Sequence, residues 1–416
     1  MAAALGVLVS CGSVKSGEEV VAASRDSKVV VAYVTSWSEV MPDPQYMTHI
    51  NYAFGHVNES FNGVKIDNEE RLRQIVDLRK QKPELKVLLS IGGWGSGRFS
   101  EMAANDEYRR AFAADCDRVV KEFALDGIDI DWEYPTSSMA NISSSPDDTE
   151  NFTLLMQDIR AAIGNEKELT LATVASARYI DFKAILPSVD FVNIMAYDMA
   201  SAPKHHSALY PSGHSGDITS DGAVTAHLKA GVPPSKLVMG MPFYGRGGDG
   251  YPSFQDYNKV GNTDTQYTEK WDEVAQVPYL ADKNDTLVFG FENPRSLAIK
   301  CQYILDKDLL GGMYWDYSGD NEQGDLRRTV ADNLLGKPHK AKVLVLTERG
   351  GQHGGFTDAG LRWLAAEGVK GNFSITEINN ARNITEAYLS QFSLVIQLDF
   401  PPYTWPKDAE DAFVKY

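Results

Sequence analysis

Residues 126–135 read DGIDIDWEYP, a strict alternation of acidic and apolar side chains. On an extended strand successive side chains point to opposite faces. Asp129, Asp131 and Glu133 therefore share one face, and Ile128, Ile130 and Trp132 share the other. In a barrel the acidic face points inward and the apolar face outward, toward a layer of helices. Three carboxyl groups two residues apart on a buried face are costly. Each raises the proton affinity of the others, and loss of water pushes the same way. A metal site or a solvated edge strand are the competing readings. Neither explains why the run closes a strand at its C-terminal end, where barrel enzymes keep their catalysts. A raised proton affinity on Glu133, the outermost of the three, suits a general acid for a glycosidic oxygen.

The flanking sequence supplies the rest of such a barrel. Apolar, often β-branched runs of strand length occur at 28–34, 49–54, 86–91, 127–132, 169–174, 191–197, 236–243 and 311–315. Helix-like segments lie between them at 68–83, 107–124 and 149–164, the last with Thr149 as its expected N-cap. Eight strands with crossovers predict an α/β fold, a (β/α)8 TIM barrel over residues 28–338. An open doubly wound sheet is the alternative, disfavoured because no Gly-rich phosphate loop follows the first strand. The connection from Gly245 to about Asn293 is too long to lack structure. It holds Tyr251, Phe254, Tyr257, Trp271 and Tyr279, and predicts a small insertion after strand 7 beside the active face. After Pro338 the pattern restarts, with strands expected at 342–347, 373–378 and 392–399 and a helix at 357–368. This reads as a partial flavodoxin-like α/β domain, 339–416, with too few strands for a complete open sheet.

Composition narrows the function. The chain has 416 residues with 43% hydrophobic and 23% charged, enough to bury a sizeable core. A formal net charge of -17 argues against nucleic acid, because no basic stripe could neutralise phosphates against it. Of the three cysteines, Cys116 and Cys301 fall in helix-like segments and are expected reduced, buried and unpaired. None has metal-ligand spacing, so no metal is expected. Cys11 ends the run Leu8-Val9-Ser10-Cys11, which resembles a bacterial lipobox, although no Lys or Arg precedes the short apolar run. Residues 1–27 are thus expected to be a signal- or lipoprotein-like N-terminus and linker. On that reading the protein is extracytoplasmic, secreted or anchored through lipid on Cys11. The alternative is a cytoplasmic protein with a floppy N-terminus.

The acidic strand resembles the DxxDxDxE signature of glycoside hydrolase family 18, the chitinase family. Other pieces match in order: Ser90-Ile91-Gly92-Gly93-Trp94, Met195-Ala196-Tyr197-Asp198, MPFYGR at 241–246, and Trp315. The resemblance covers about Lys28 to Pro338 and implies substrate-assisted, retaining hydrolysis of β-1,4 links between N-acetylglucosamine units, without a cofactor. It implies that Glu133 protonates the leaving oxygen and that Asp131 orients the 2-acetamido N–H. Asp129 shares a proton below them, and Tyr197 bonds the acetamido oxygen. Asp198 holds the distorted sugar, Trp315 floors its subsite, and Tyr33 joins the Asp129 network. Met195, Gly93, Trp94, Tyr244 and Arg246 complete the expected substrate-binding set. Several have plainer readings: Tyr33 as barrel packing, Trp94 and Trp37 as rim aromatics, Arg246 as an ion-pair partner, and Gly92 and Gly93 as room for substrate and Asp131. His353 and the Gly350-Gly351 turn resemble the start of a trehalose-utilisation (ThuA-like) domain. The expected partner is chitin or an N-acetylglucosamine oligosaccharide, bound by a monomer. The runner-up function is an endo-β-N-acetylglucosaminidase acting on N-glycans. A non-catalytic chitin-binding lectin is disfavoured by the intact Glu133.

Overall fold

The computed structural model describes residues 28–248, 251–260, 266–335, 341–347, 354–371, 373–398 and 405–416. Cys11, the rest of 1–27, the Gly350-Gly351 turn and His353 lie outside the described residues. The eight expected barrel strands all form. They are β1 (Val29–Thr35), β2 (His49–Val57), β4 (Lys86–Gly92), β5 (Gly127–Asp131), β6 (Glu168–Val174), β7 (Phe191–Met195), β8 (Leu237–Pro242) and β14 (Gly311–Trp315). A short β3 (Val64–Ile66) pairs antiparallel with the end of β2. The eight strands are hydrogen-bonded in parallel in the order β1-β14-β8-β7-β6-β5-β4-β2, and β1 also pairs with β2. The sheet closes on itself, which removes the open doubly wound alternative.

The strand alternation is realised as the sequence requires. Outward-facing Val30, Ile50, Val87, Leu89, Ile128 and Ile130 join one large core with the helices, while Val31, Tyr33, Phe191, Val238 and Met313 fill the barrel interior. The helical layer includes α1 (Glu69–Val76), α2 (Phe99–Ala104), α3 (Asp106–Glu122), α4 (Asp148–Ile163), α5 (Phe182–Ile185), α6 (Ser220–Lys229), α7 (Pro294–Asp306) and α8 (Asp325–Leu334). Trp132 lies stacked on Phe99 of α2 and edge-on to Phe152 of α4, so the apolar face of the acidic strand is clamped by two helices.

One helix boundary corrects the sequence reading. Thr149 is not the cap of α4, whose N-cap is Asp147. Asp148 is fully buried and accepts from Ser100 Oγ at 2.7 Å, Ser145 N at 2.7 Å and Thr136 N at 3.1 Å. The helix therefore begins one residue before Thr149, whose hydroxyl instead bonds the Tyr179 carbonyl at 2.9 Å. The long connection after β8 folds into a five-stranded antiparallel sheet of β9 (Tyr244–Gly247), β10 (Gln255–Asp256), β11 (Thr268–Asp272), β12 (Val277–Ala281) and β13 (Leu287–Gly290). In the C-terminal region β15 (Ala341–Thr347) lies between β16 (Phe373–Ile378) and β17 (Leu394–Leu398), all parallel, with α9 (Gly354–Gly371), α10 (Glu386–Leu389) and α11 (Lys407–Lys415). Cys116 and Cys301 are buried free thiols. Among the described residues no helix is long and apolar enough to cross a membrane.

Candidate active site

The C-terminal ends of the barrel strands surround a cavity of about 880 Å³, and the acidic strand opens into it. At its base, Asp129 is fully buried and takes four donors: Thr170 Oγ1 at 2.6 Å, Tyr33 Oη and Ser90 Oγ at 2.8 Å each, and Asn193 Nδ2 at 3.3 Å. Burial pushes its proton affinity up, and those four hydrogen bonds oppose the rise. Tyr33 thus fulfils both of its readings, since the same side chain packs in the barrel interior.

Above it Asp131 has no such ring of donors. One of its buried carboxyl oxygens, Oδ1, has no hydrogen-bond partner. Burial, then the neighbouring Glu133 and Asp129 charges, push its proton affinity well above the usual carboxylate range. Glu133, at the mouth, is pushed up to about 7, first by burial and also by the Asp198 charge. A carboxylic acid that still holds its proton near neutral pH is what donation to a glycosidic oxygen demands.

Two glycines with positive φ, Gly92 and Gly93, let the end of β4 lie against β5 and against Phe54 of β2. A Cβ at Gly92 would sit 1.9 Å from the Asp131 carbonyl oxygen, and one at Gly93 would sit 2.6 Å from the Phe54 ring. The Gly93 N–H donates to the Asp131 carbonyl at 2.8 Å. Gly93 is buried and is not among the residues lining the cavity. The space it leaves is taken by the Phe54 ring, and its N–H is spent on the Asp131 carbonyl.

The opposite wall comes from β7, the residues that follow it, and β9. Met195, Tyr197 and Asp198 follow one another out of β7, and Asp198 has φ 54°, a conformation that a short acidic side chain tolerates. Arg246 grips Asp198 with both arms, Nε to Oδ1 at 2.6 Å and Nη2 to Oδ2 at 2.5 Å. Burial alone would raise the proton affinity of Asp198, but Arg246 and His206 hold it well below the usual carboxylate range. Arg246 is therefore both a cleft residue and an ion-pair partner. Tyr244 stacks on Phe254 of the insertion with ring centroids 4.7 Å apart.

Trp315, at the end of β14, floors the cavity and stacks on Phe54 at 5.5 Å, with Tyr33 at 5.6 Å and Trp37 at 6.5 Å. A second aromatic group joins Trp94, Tyr134 and Tyr179, the two tyrosines stacked at 5.5 Å. Trp37 and Trp94 are 64% and 62% exposed and line the cavity, so much of each indole stays open to solvent beside its aromatic neighbours.

Sequence reasoning missed Phe54, Tyr134, Met139, Arg178 and Tyr179 as lining residues, and the Thr170 and Asn193 donors to Asp129. Thr170 and Asn193 carried a usable signal, being inward-facing polar positions on strands that otherwise bury apolar groups. Among the described residues no group of three or more His, Cys, Asp or Glu is disposed to hold a metal ion.

The chain is similar to known proteins. Residues 29–320 match the family model described as Glycosyl hydrolases family 18. Chitotriosidase-1 of Mus musculus is 31% identical, over 71% of this chain and 74% of its own length. Chitinase A1 of Niallia circulans is 29% identical over 75% of this chain, which spans 59% of that protein. Among solved structures, a family 18 N-acetylglucosaminidase of Paenibacillus barengoltzii is 32% identical, with a TM-score of 0.68, covering 74% of this chain and all of its own. A closed eight-stranded barrel with three carboxyl groups in line at one strand end, matched across 29–320, places the chain among the members of glycosyl hydrolases family 18.

Proposed function

We propose that the protein hydrolyses chitin, cleaving β-1,4 links between N-acetylglucosamine units with retention through substrate assistance. The observation that carries this is the unpartnered, buried Oδ1 of Asp131 set between Asp129 and Glu133. An acceptor held there suits an N–H donated by a sugar whose own 2-acetamido group is being positioned.

The geometry supports the following sequence of events. The sugar to be cleaved lies on Trp315. Glu133 gives its proton to the leaving oxygen, and the C1–O bond breaks as the acetamido carbonyl oxygen bonds to C1. The positive charge spreads over the resulting ring, with Asp131 accepting its N–H and Tyr197 bonding the oxygen. Water then attacks C1 from the vacated side, returns a proton to Glu133 and reopens the ring. No protein nucleophile is needed. This agrees with the state of Asp198, the other cleft carboxylate, which is tied up by Arg246. Two-carboxylate hydrolysis has this substrate-assisted exception.

The separate Trp37 and Trp94 faces favour an oligosaccharide that extends past the cleaved unit. The test is hydrolysis of a chitin oligosaccharide and of an N-glycoprotein by wild type and Glu133→Gln. Cleavage of the oligosaccharide, lost about a hundredfold or more in the variant, supports the reading. Cleavage of the glycoprotein alone moves the substrate to N-glycans, and binding without turnover leaves a lectin. We also infer that 1–27, with Cys11, exports and anchors the protein. The parallel order with β15 central supports reading 339–416 as a flavodoxin-like, ThuA-like unit.

A further inference from the structure

Behind Asp198, the tripeptide His205-His206-Ser207 runs through the interior with every residue buried: 1%, 0% and 1% exposed. Each is tied to a different support. His205 Nε2 lies 3.2 Å from Asp272 Oδ2 at the end of β11, and Ser212 Oγ donates to the same oxygen at 2.7 Å. Ser207 Oγ donates to Glu292 Oε1 at 2.6 Å, and Lys300 of α7 reaches both that oxygen and the Ser207 carbonyl. Lys300 and Glu292 form an ion pair with both side chains wholly excluded from solvent. Such a pair is expensive to bury and contributes little net stability. Its evident product is a fixed position for the strand of chain between its supports.

What that chain presents to the active site is His206. Its Nδ1 lies 3.5 Å from Asp198 Oδ1 and 3.4 Å from the Asp198 backbone N–H. With Nδ1 protonated the ring donates to the carboxylate, and otherwise it accepts the N–H. Either arrangement pins Asp198 from behind while Arg246 holds it from the side. The imidazole also lies 5.3 Å from the Tyr244 ring. Its other nitrogen, Nε2, is buried without a partner. A core position chosen for packing alone gains nothing from an imidazole with an orphaned nitrogen.

We infer that His206 is a positioning residue for Asp198, and that the inserted sheet and α7 hold it there through the His205–Asp272 and Ser207–Glu292–Lys300 contacts. His206 does not line the cavity, so it acts through Asp198 on the sugar that Asp198 holds. This rests on the proposed hydrolysis, and the experiment separates the two.

Histidine-labelled protein gives side-chain ¹⁵N resonances without any ligand, and the His206 signal is assigned by its loss in His206→Asn. Asp198→Asn is expected to move that signal and leave those of exposed histidines in place. An unmoved signal overturns the inference whatever the protein hydrolyses. On a chitin oligosaccharide, His206→Leu is expected to lower kcat about tenfold, and His206→Asn, which keeps a donor near the Nδ1 position, to restore most of it. In an Asp198→Asn background the His206→Leu change is expected to cost less than about twofold. Equal losses in both backgrounds would show a merely structural role and overturn the inference. If wild type turns over no substrate, the proposed hydrolysis falls, and the resonance shift alone decides the positioning claim.

Discussion

Glu133 is asked to be an acid and also to survive in a folded protein, and the two demands oppose each other. Its proton affinity is raised to about 7 from the ordinary carboxylate value of 4.5. Activity is therefore expected to fall as pH rises through about 7, as the acid loses its proton, and a pH profile of kcat/KM checks this. For stability the sign runs the same way. Between the unfolded and folded values the unfolded chain has released the proton and the folded chain still holds it, so stability declines as pH rises across that window. Glu133→Gln removes that decline. The variant is expected to melt above wild type at pH 8, with the gap closing at pH 4, in a thermal scan at both pH values. The acid, its two aspartate neighbours and Trp315 were legible in the sequence, because strand periodicity and motif order fix which side chains share a face. Tyr134, Tyr179 and Arg178 were not. They stand on loops whose path no periodicity describes.

The strands of the barrel were read almost to the residue, since continuous apolar runs buried on both faces leave few alternatives. The insertion was foreseen as a structured segment but not as a five-stranded sheet. Its aromatics could not be given directions: Phe254 faces the cleft, while Trp271 lies under the Arg295 guanidinium at 3.8 Å. Two substitutions test how elements are held together. Gly92→Ala would drive a methyl group into the β5 backbone at a φ of 132°, and is expected to cost about 3 kcal/mol in a denaturant titration. Lys300→Met would leave Glu292 buried and unpaired between α7 and the His205–Ser207 segment. A loss of about 3–5 kcal/mol is expected, and replacing Glu292 as well with an apolar residue should recover much of it.

The hydrophobic clusters of the barrel and its insertion are drawn from residues up to 335, and those of the C-terminal region from residues 343 onward. Among the described residues no side chain belongs to both sets. A chain ending at Leu335 is accordingly expected to keep full activity on a chitin oligosaccharide, measured against the complete chain. From the restart of strand pattern after Pro338 the sequence pointed to the separate sheet of β15, β16 and β17. It could not announce which strand lies central, because short parallel strands carry no pairing label. The separation of cores also governs cooperativity. The C-terminal sheet carries apolar clusters of its own, so calorimetry is expected to resolve two endotherms. Only one of them should shift with Gly92→Ala or Lys300→Met. A single midpoint for the whole chain would average the barrel that holds the acidic strand with a separate three-stranded sheet.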